Sequence, residues 1–200
     1  MLHFLAFPIH KFRKIVMLFL VSLSMLSACG GGSGSSPRPV LELFAGNLYG
    51  VGSLDGIGGA ASFFNPNGIA TDSAGNVYVA DSYNHTIRKI TAAGMVSTLA
   101  GTAGVIGSAD GSGAAARFAY PQGIATDSAG NVYVADSYNH TIRKVTPAGG
   151  VSTFAGVAQQ VGFMPGALPG RLSFPQGLTV AGSSLYITSN NGVAVVRNLP

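Results

Sequence analysis

The sequence predicts an all-β protein built from short antiparallel strands. Its 200 residues include 29 glycines, only 9% charged residues and 47% hydrophobic residues. This composition is typical of many short strands joined by tight turns, and it excludes a disordered chain. In addition, the 22-residue segment Gly68–Lys89 recurs without change at Gly123–Lys144. A long segment that recurs at a fixed interval indicates copies of one structural unit.

Three such units align, at about residues 43–97, 98–152 and 153–198. Each unit is predicted to form four short strands, separated by turns rich in Asp, Asn and Gly. In the first unit these strands are Gly68–Thr71, Val77–Ala80, Thr86–Ile90 and Met95–Leu99. Four hairpin-linked antiparallel strands at a long period predict the blades of a β-propeller.

The third unit departs from the other two at three positions. Ser189 replaces Asp136, Val193 replaces His140 and Ala181 replaces Asp127. Any ring of ligands formed from equivalent positions in all three units is therefore incomplete.

The repeated motif P-x-G-I-A-T-D-x-x-G-N-V-Y-V-A-D-x-x-N-H-x-I-R-K closely resembles the NHL repeat. The Asn-His-Leu segment of that family reads NHT at Asn84–Thr86 and Asn139–Thr141. The flanking G-x-x-D-G-x-x-x-x-A-x-F-x-x-P is similar to segments of bacterial tandem-NHL lipoproteins. The resemblance covers about Leu41–Asn198 and implies a propeller, usually of six blades.

Only three blades are predicted, which leaves three arrangements open. A homodimer could complete a six-bladed ring, the blades could form an open arc, or the protein could be a truncated relative of a longer one. Val40–Gly46 aligns with Met95–Gly101, which contains the predicted outer strand of the first unit and the residues that directly follow it. This segment is therefore predicted to form an outer strand that completes the last blade, since the third unit has no outer strand of its own.

The N-terminal residues predict export and a lipid anchor. Residues 1–28 combine three basic residues with the apolar stretch Ile15–Ala28, which is typical of a signal peptide. Leu26–Cys29 resembles a bacterial lipobox, which implies cleavage before Cys29 and acylation of Cys29 itself. This residue is the only cysteine in the sequence. The alternative is an ordinary secretory signal with a chance cysteine. A Gly/Ser-rich tether follows at residues 29–39, and the repeat domain occupies residues 40–200.

The predicted location is the bacterial cell envelope. There the protein would be anchored to a membrane through Cys29. Gly30 directly after that cysteine favours the outer membrane, facing the periplasm or the cell surface.

The charge pattern argues against a nucleic-acid partner. Three of the eleven basic residues lie in the predicted signal peptide, so eight remain against seven acidic residues. The repeated pairs Arg88–Lys89 and Arg143–Lys144 are interpreted as a solvated strand edge.

The sequence offers few groups for chemistry. His85 and His140 occupy equivalent positions and are interpreted as tying a turn within their own blades. Asp72 and Asp81, with their equivalents Asp127 and Asp136, are interpreted as turn residues. No catalytic residue, metal ligand or cofactor is predicted, and a non-enzymatic function is favoured.

The long segments before each inner strand are the predicted ligand rim. A connection near 20 residues is unusual and often functional. The predicted ligand-binding residues are Asp55, Asp110 and Arg117. Phe63 and Phe118 are instead predicted to seal neighbouring blades together, with the prolines Pro66, Pro121 and Pro175.

The predicted function is therefore a binding or scaffold module at the envelope, with an unknown protein or carbohydrate ligand and no catalysis. Two alternatives stay open. One is a metal-dependent hydrolase or lyase of the lactonase-like propeller type. The other is a truncated paralogue with little activity.

Overall fold

The structure is a computed structural model that describes residues 38–200. The predicted signal peptide, Cys29 and most of the tether lie outside the described residues. Within Leu41–Pro200, a compact unit, the regular structure consists of strands and four short 3-10 turns. No helix in the described part of the chain has the length and apolar character needed to span a membrane.

Thirteen strands in the described residues form three antiparallel sheets. They are β1 Gly56–Ile57, β2 Pro66–Thr71, β3 Val77–Asp81, β4 Thr86–Ile90, β5 Met95–Ala100, β6 Gly111–Ser112, β7 Pro121–Thr126, β8 Val132–Asp136, β9 Thr141–Val145, β10 Gly150–Ala155, β11 Pro175–Ala181, β12 Ser184–Ser189 and β13 Gly192–Arg197. The 3-10 turns are Gly58–Ala60, Ser82–Asn84, Gly113–Ala115 and Ser137–Asn139.

Each sheet is one blade. Blade 1 has the order β1-β5-β4-β3-β2, blade 2 has β6-β10-β9-β8-β7, and blade 3 has β11-β12-β13. The predicted all-β fold of antiparallel propeller blades is confirmed. The structure adds a two-residue strand at the outer edge of blades 1 and 2, contributed by the long segments that were predicted to be loops.

The predicted N-terminal strand is absent from the structure. Residues 40–44 have no strand conformation and are exposed, and blade 3 has three strands in the described part of the chain. The physical reason is that a strand needs a paired edge. Residues 44–46 instead lie against blade 1, where Ala45 joins the apolar cluster of Val79, Ile90 and Val96.

The register of blade 3 corrects the sequence alignment at one position. Val193 pairs with Thr188 in β12, just as Ile142 pairs with Ala135 in β8. Val193 is therefore the equivalent of Ile142, not of His140. The turn between β12 and β13 is two residues shorter than its counterpart in blade 2, so blade 3 has no position for the histidine.

Successive blades stack through their apolar faces. One core joins Tyr78 and Ile87 of blade 1 to Phe118, Ile124 and other residues of blade 2. A second core joins Tyr133 and Ile142 of blade 2 to Leu185 and Ile187 of blade 3. Burial of Phe118, Pro121 and Pro175 confirms the sealing role predicted for these residues. The prediction was wrong for Pro66, which is exposed, and Phe63 is only half-buried, because both lie on the uncovered face of blade 1.

The innermost strands β2, β7 and β11 lie side by side around one axis. Gly68 and Gly123 are needed there because a Cβ atom on either would overlap the backbone of the next inner strand, at Gln122 and Gln176 respectively. This close approach explains why the third residue of β2 and of β7 is glycine.

Candidate functional site

A row of five aromatic rings crosses one end of the three blades. Its members, in order, are Phe64, Tyr83, Tyr120, Tyr138 and Phe174. The centroids of successive rings lie 5.1, 5.7, 4.8 and 5.8 Å apart. All of these rings except Tyr120 are exposed. We call this set the aromatic row.

Two tight turns present the second and fourth rings of the row. Tyr83 and Tyr138 are the middle residues of the turns Ser82–Asn84 and Ser137–Asn139. The amide of Tyr83 donates to the Phe64 carbonyl at 3.1 Å, and the amide of Tyr138 donates to the Ala119 carbonyl at 3.2 Å. The main chain of each tyrosine is thus fixed while its ring projects outward.

A histidine in the left-handed region ends each of these turns. His85 has φ 57° and His140 has φ 60°. The Nδ1 atom of His85 accepts a hydrogen bond from the Tyr120 amide at 3.3 Å, and Nδ1 of His140 accepts one from the Phe174 amide at 3.2 Å. Each histidine therefore links its blade to the next blade. The amide of each histidine also ties the turn of its own blade, as predicted, by donating to the Ser82 or Ser137 carbonyl at 3.2 Å. The bond of the imidazole across the junction was not predicted.

The same imidazoles support two members of the aromatic row. The His85 ring packs edge-on to Tyr120 with centroids 4.5 Å apart, and the His140 ring packs edge-on to Phe174 at 4.4 Å. Burial lowers the pKa of both histidines, so the neutral ring is favoured and Nδ1 stays available as an acceptor.

A buried ion pair between Asp81 and Arg88 supports the turn Ser82–Asn84 of blade 1. Asp81 accepts hydrogen bonds from the Phe64 amide at 2.8 Å, from Nδ2 of Asn84 at 2.8 Å and from Nη1 of Arg88 at 2.9 Å. Arg88 also donates to the Ser62 carbonyl at 3.0 Å and lies 5.0 Å from the centroid of the Phe63 ring. The side chains of Asp81 and Arg88 are fully buried.

Blade 2 repeats this arrangement. Asp136 accepts from the Ala119 amide at 2.7 Å, from Asn139 at 2.7 Å and from Arg143 at 3.0 Å. Burial raises the pKa of Asp136 to about 6, although these three hydrogen bonds and the charge of Arg143 act in the opposite direction. In blade 3 the Ser189 hydroxyl takes the place of this carboxylate, bonding the amide and carbonyl of Ser173 at 2.9 Å each.

The prediction of a solvated basic edge was therefore wrong for Arg88 and Arg143. Both guanidinium groups are buried and paired with carboxylates at each end. Alternation along β4 and β9 directs these arginines toward the blade interior, while Lys89 and Lys144 are only partly buried and lie over Tyr78 and Tyr133.

The aromatic row borders an open cleft of about 560 Å³. Its lining is aromatic, amide and hydroxyl in character, with no charged side chain. The lining residues are Phe64, Asn65, Asn67, Ser82, Tyr83, Tyr120, Gln122 and Tyr138. A cleft with this lining suits a neutral ligand that offers both apolar faces and hydrogen-bonding groups.

The three predicted rim residues make contacts within the chain. Asp55 binds Nη2 of Arg88 at 2.7 Å, and Asp110 binds Nη2 of Arg143 at 2.6 Å. Nη1 of Arg117 donates to the Ala116 carbonyl at 2.7 Å and to the Thr102 hydroxyl at 3.1 Å. None of the three lines the cleft beside the aromatic row. Their role in ligand binding stays a prediction.

Other acidic residues have structural roles in the turns. Asp72 accepts from the Ala74 and Asn76 amides at 2.9 Å each, and Asp127 accepts from the Ala129 and Asn131 amides at 3.0 and 2.8 Å. The turn role predicted for this pair is confirmed. Within residues 38–200, no three His, Cys, Asp or Glu side chains lie close enough together to hold a metal ion.

Sequence reasoning missed the aromatic row. One signal was present, because a tyrosine recurs in the middle of a polar turn at Tyr83 and Tyr138. Its neighbours Phe64, Tyr120 and Phe174 are distant in sequence and do not all occupy equivalent positions in the repeat. Only the packing of successive blades brings them into one line.

Comparison with known proteins identifies the repeated unit. The NHL repeat family matches residues 63–90 and 118–145. The protein SUPPRESSOR OF QUENCHING 1, chloroplastic, of Arabidopsis thaliana is 38% identical over 103 residues, which are 51% of this chain and 10% of that protein. NHL repeat-containing protein 2 of Homo sapiens is 37% identical over 100 residues, 48% of this chain and 14% of that protein. The chain thus spans about a tenth to a seventh of these relatives.

Solved structures show the same blade architecture. A protein of unknown function from Bacteroides thetaiotaomicron superposes with a TM-score of 0.55 and 28% identity, over 61% of this chain and 33% of that one. An auxiliary nutrient binding protein from Bacteroides ovatus superposes with a TM-score of 0.57 and 21% identity, over 70% of this chain and 40% of that one. Residues 63–90 and 118–145 are therefore NHL repeats, and the chain that carries them has the blade fold of a β-propeller.

Proposed function

We propose that this protein is a carbohydrate-binding module displayed at the bacterial cell envelope, with the aromatic row as its binding surface. The observation that carries the proposal is the line of closely spaced, mostly exposed rings beside an uncharged cleft. Exposed aromatic side chains in a row are costly to leave in water and are typical of binding surfaces.

The chemistry of the row favours a saccharide over other ligand classes. Sugar rings present apolar C–H faces that pack on aromatic rings, while their hydroxyl groups need donors and acceptors. The amides of Asn65, Asn67 and Gln122 and the hydroxyls of Tyr83 and Tyr138 supply both beside the rings. A phosphate-rich or strongly charged ligand would find no opposite charge in this lining.

The length of the row favours an extended ligand. Five rings separated by 4.8 to 5.8 Å form a track across three blades and not an enclosed pocket. A track of this kind binds a chain of several sugar units, each contributing a small part of the affinity.

Display at the envelope rests on the sequence of residues 1–39. The signal-like stretch, the lipobox-like Leu26–Cys29 and the flexible tether together support an exported, lipid-anchored protein. A saccharide ligand is consistent with that location, since envelope polymers are rich in neutral sugars. The auxiliary nutrient binding protein from Bacteroides ovatus shares the fold alone and does not identify the ligand.

The test is binding of neutral oligosaccharides of increasing length, measured by isothermal titration calorimetry after screening on a glycan array. Tyr83→Ala and Tyr138→Ala should each weaken binding by about tenfold, on the order of 1.4 kcal/mol. Tyr49→Ala is the matched control, because Tyr49 is also an exposed tyrosine but lies outside the row. It should leave affinity unchanged.

Equal losses in all three variants, or no binding to any neutral glycan, would contradict the proposal. Lactonase or lyase turnover that depends on added divalent metal would instead favour the enzymatic alternative.

A further inference from the structure

Residues 38–200 contain two complete junctions between blades, and both are built in the same way. We call the face of a blade that packs against the following blade its trailing face, and the opposite face its leading face. At each junction the Tyr and Ile side chains of one trailing face cover the leading face of the next blade. At the junction of blades 1 and 2, Tyr78 and Ile87 pack with Phe118, Ile124 and Val134. These residues are all buried, so burial of these positions is the mark of a closed junction.

The leading face of blade 1 has the same side chains, but no blade covers it in the part of the chain that the structure describes. Ile69, the equivalent of Ile124, is 68% exposed, whereas Ile124 is 5% exposed. A cavity of about 350 Å³ opens on this face, lined by Phe44, Phe63, Ile69 and other apolar residues. The face is shaped for a neighbouring blade.

The trailing face of blade 3 is also exposed, although its equivalents in blades 1 and 2 are buried. Val193, the equivalent of the buried Ile142, is 72% exposed. Tyr186, the equivalent of the buried Tyr133, is 37% exposed. This face offers the side chains that cover a leading face at the two internal junctions.

The inner strand of blade 3 also has space beside it for another inner strand. A Cβ atom on Gly68 or Gly123 would overlap the backbone of the next inner strand. Gly177 is the third equivalent glycine, and a Cβ there would meet only the Thr188 side chain of its own blade, whose hydroxyl oxygen lies 3.1 Å away. The space that another inner strand would fill is therefore free.

The N-terminal segment lies where the outer strand of a preceding blade would end. The amide of Gly46 donates to the Gly58 carbonyl at 3.0 Å, just as the amide of Gly101 donates to the Gly113 carbonyl at 3.0 Å. Gly101 directly follows β5, the outer strand of blade 1. Residues 44–46 thus hold toward blade 1 the position that residues 99–101 hold toward blade 2.

We infer that a second copy of this chain occupies both open faces. The trailing face of blade 3 in each copy covers the leading face of blade 1 in the other, and two three-bladed arcs close one six-bladed ring. Six lies within the range of blade numbers that propellers adopt. The two junctions are related by a two-fold axis, so the assembly ends at two copies.

The same geometry supplies the fourth strand of blade 3. Ala100 pairs with Ile87 across β5 and β4, so the equivalent register places Ala45 of the second copy opposite Val193. Residues 40–45 of the second copy would then extend the β13 edge as an added strand. In this register Glu42 of the second copy lies diagonal to Arg197, an opposite-charge pair.

At the junction between copies, Asn65 of the second copy is the equivalent of Tyr120 and Phe174. It would lie beside the blade 3 turn that contains Asn190 and Asn191, so polar amides would take the place of aromatic rings there. The new junction lacks the imidazole bond of the other two, because blade 3 has no histidine in this turn. Apolar burial and strand pairing hold it together. The inference does not depend on the proposed ligand, since it is tested by mass and not by binding.

The first test is the mass of the full chain in detergent, measured by native mass spectrometry with a reductant present so that Cys29 cannot join two chains. A dimer is expected. Val193→Asp and Gly177→Ala should each raise its dissociation constant, by roughly 100-fold for the buried charge. Neither change affects a buried contact of the single chain, so circular dichroism should match the parent.

Matched controls separate a lost interface from a general effect of the substitution. Val105→Asp places the same charge on an exposed valine in a loop of blade 2, and Gly59→Ala adds a Cβ where it would meet only the Gly46 carbonyl at 3.9 Å. Both controls should remain dimeric.

Disulfide trapping tests the register. In a chain with Cys29→Ser, the pair Ala45→Cys and Val193→Cys should yield an oxidised dimer, and each single variant should not. A monomeric parent chain, a Val193→Asp variant that stays dimeric, or a ladder of larger oligomers would each overturn the closed two-copy ring.

Discussion

At the scale of single residues, the buried arginines are the least expected feature of this protein. Arg88 and Arg143 are each neutralised by two carboxylates, one buried and one half exposed. Burying a charge is costly unless it is paired and hydrogen-bonded. Each guanidinium also donates to the carbonyls of the long segment before the inner strand, so one side chain organises a loop that has little regular structure.

The first stability prediction concerns this pair. Arg143→Met should lower the free energy of unfolding by about 3–5 kcal/mol, because it leaves the Asp136 carboxylate buried without its cation. Lys144→Met, on the same strand but only partly buried, should cost about 1 kcal/mol or less. Urea unfolding followed by circular dichroism measures both. Similar losses in the two variants would show that the ion pair has no special role.

At the scale of the element, the turn between β8 and β9, the second and third strands from the axis, is the functional unit. The turn Ser137–Asn139 carries Tyr138 outward, donates the Ser137 hydroxyl to the Pro175 carbonyl and ends in His140. One short turn thus presents an aromatic ring and also joins two blades. Its equivalent in blade 1 does the same, with Ser82 donating to the Pro121 carbonyl.

The histidines in these turns predict a dependence of stability on pH. Burial lowers their pKa in the folded state, so the unfolded chain takes up protons first as the pH falls below about 6.5. The histidine contribution to the free energy of unfolding is therefore fully present above that pH and declines below it. Protonation also removes the Nδ1 acceptor used by the Tyr120 and Phe174 amides.

The measurement is urea unfolding at pH 7.5 and pH 5.5 for the parent and for His85→Asn/His140→Asn. Asparagine tolerates the left-handed backbone and offers a neutral acceptor oxygen. The stability of the parent relative to this variant should fall at pH 5.5. Comparing the two proteins cancels the opposite contribution of Asp136, whose raised pKa favours the folded state as the pH falls toward 4. A constant difference would rule out the histidines as the cause.

At the scale of the whole molecule, the blades are held at a fixed spacing by contact between inner strands. Gly123→Ala would force a Cβ into the Gln176 carbonyl and should lower the free energy of unfolding by about 1–3 kcal/mol. Gly59→Ala meets no close neighbour and should change stability by about 0.5 kcal/mol or less. Thermal unfolding compares them. Equal stability of the two variants would mean that the blades can separate at the axis without cost.

Much of the fold could be predicted because it is local. The 22-residue repeat, its Asp-led turns and its alternating Val and Tyr residues specify strands and hairpins through short-range hydrogen bonds and period-two burial. The strands β2, β3, β4 and β5 accordingly lie where the pattern indicates. The sealing role of Phe118 was predictable for the same reason, since a large apolar residue recurs three positions before a proline in each unit, as Phe63, Phe118 and Leu172.

The candidate site was not predictable because it forms between elements. Tyr120 meets His85 across 35 residues, and Arg88 meets Asp55 across 33, so no local pattern links them. Likewise, the count of three blades left open whether the arc closes, but the repeats alone did not show which side chains lie on the two open faces. By itself the sequence determined the repeated antiparallel blade, since turns and strands depend on neighbouring residues. The tertiary structure alone decided which polar groups are buried, which rings align and which faces stay open, because these depend on how one blade packs against the next.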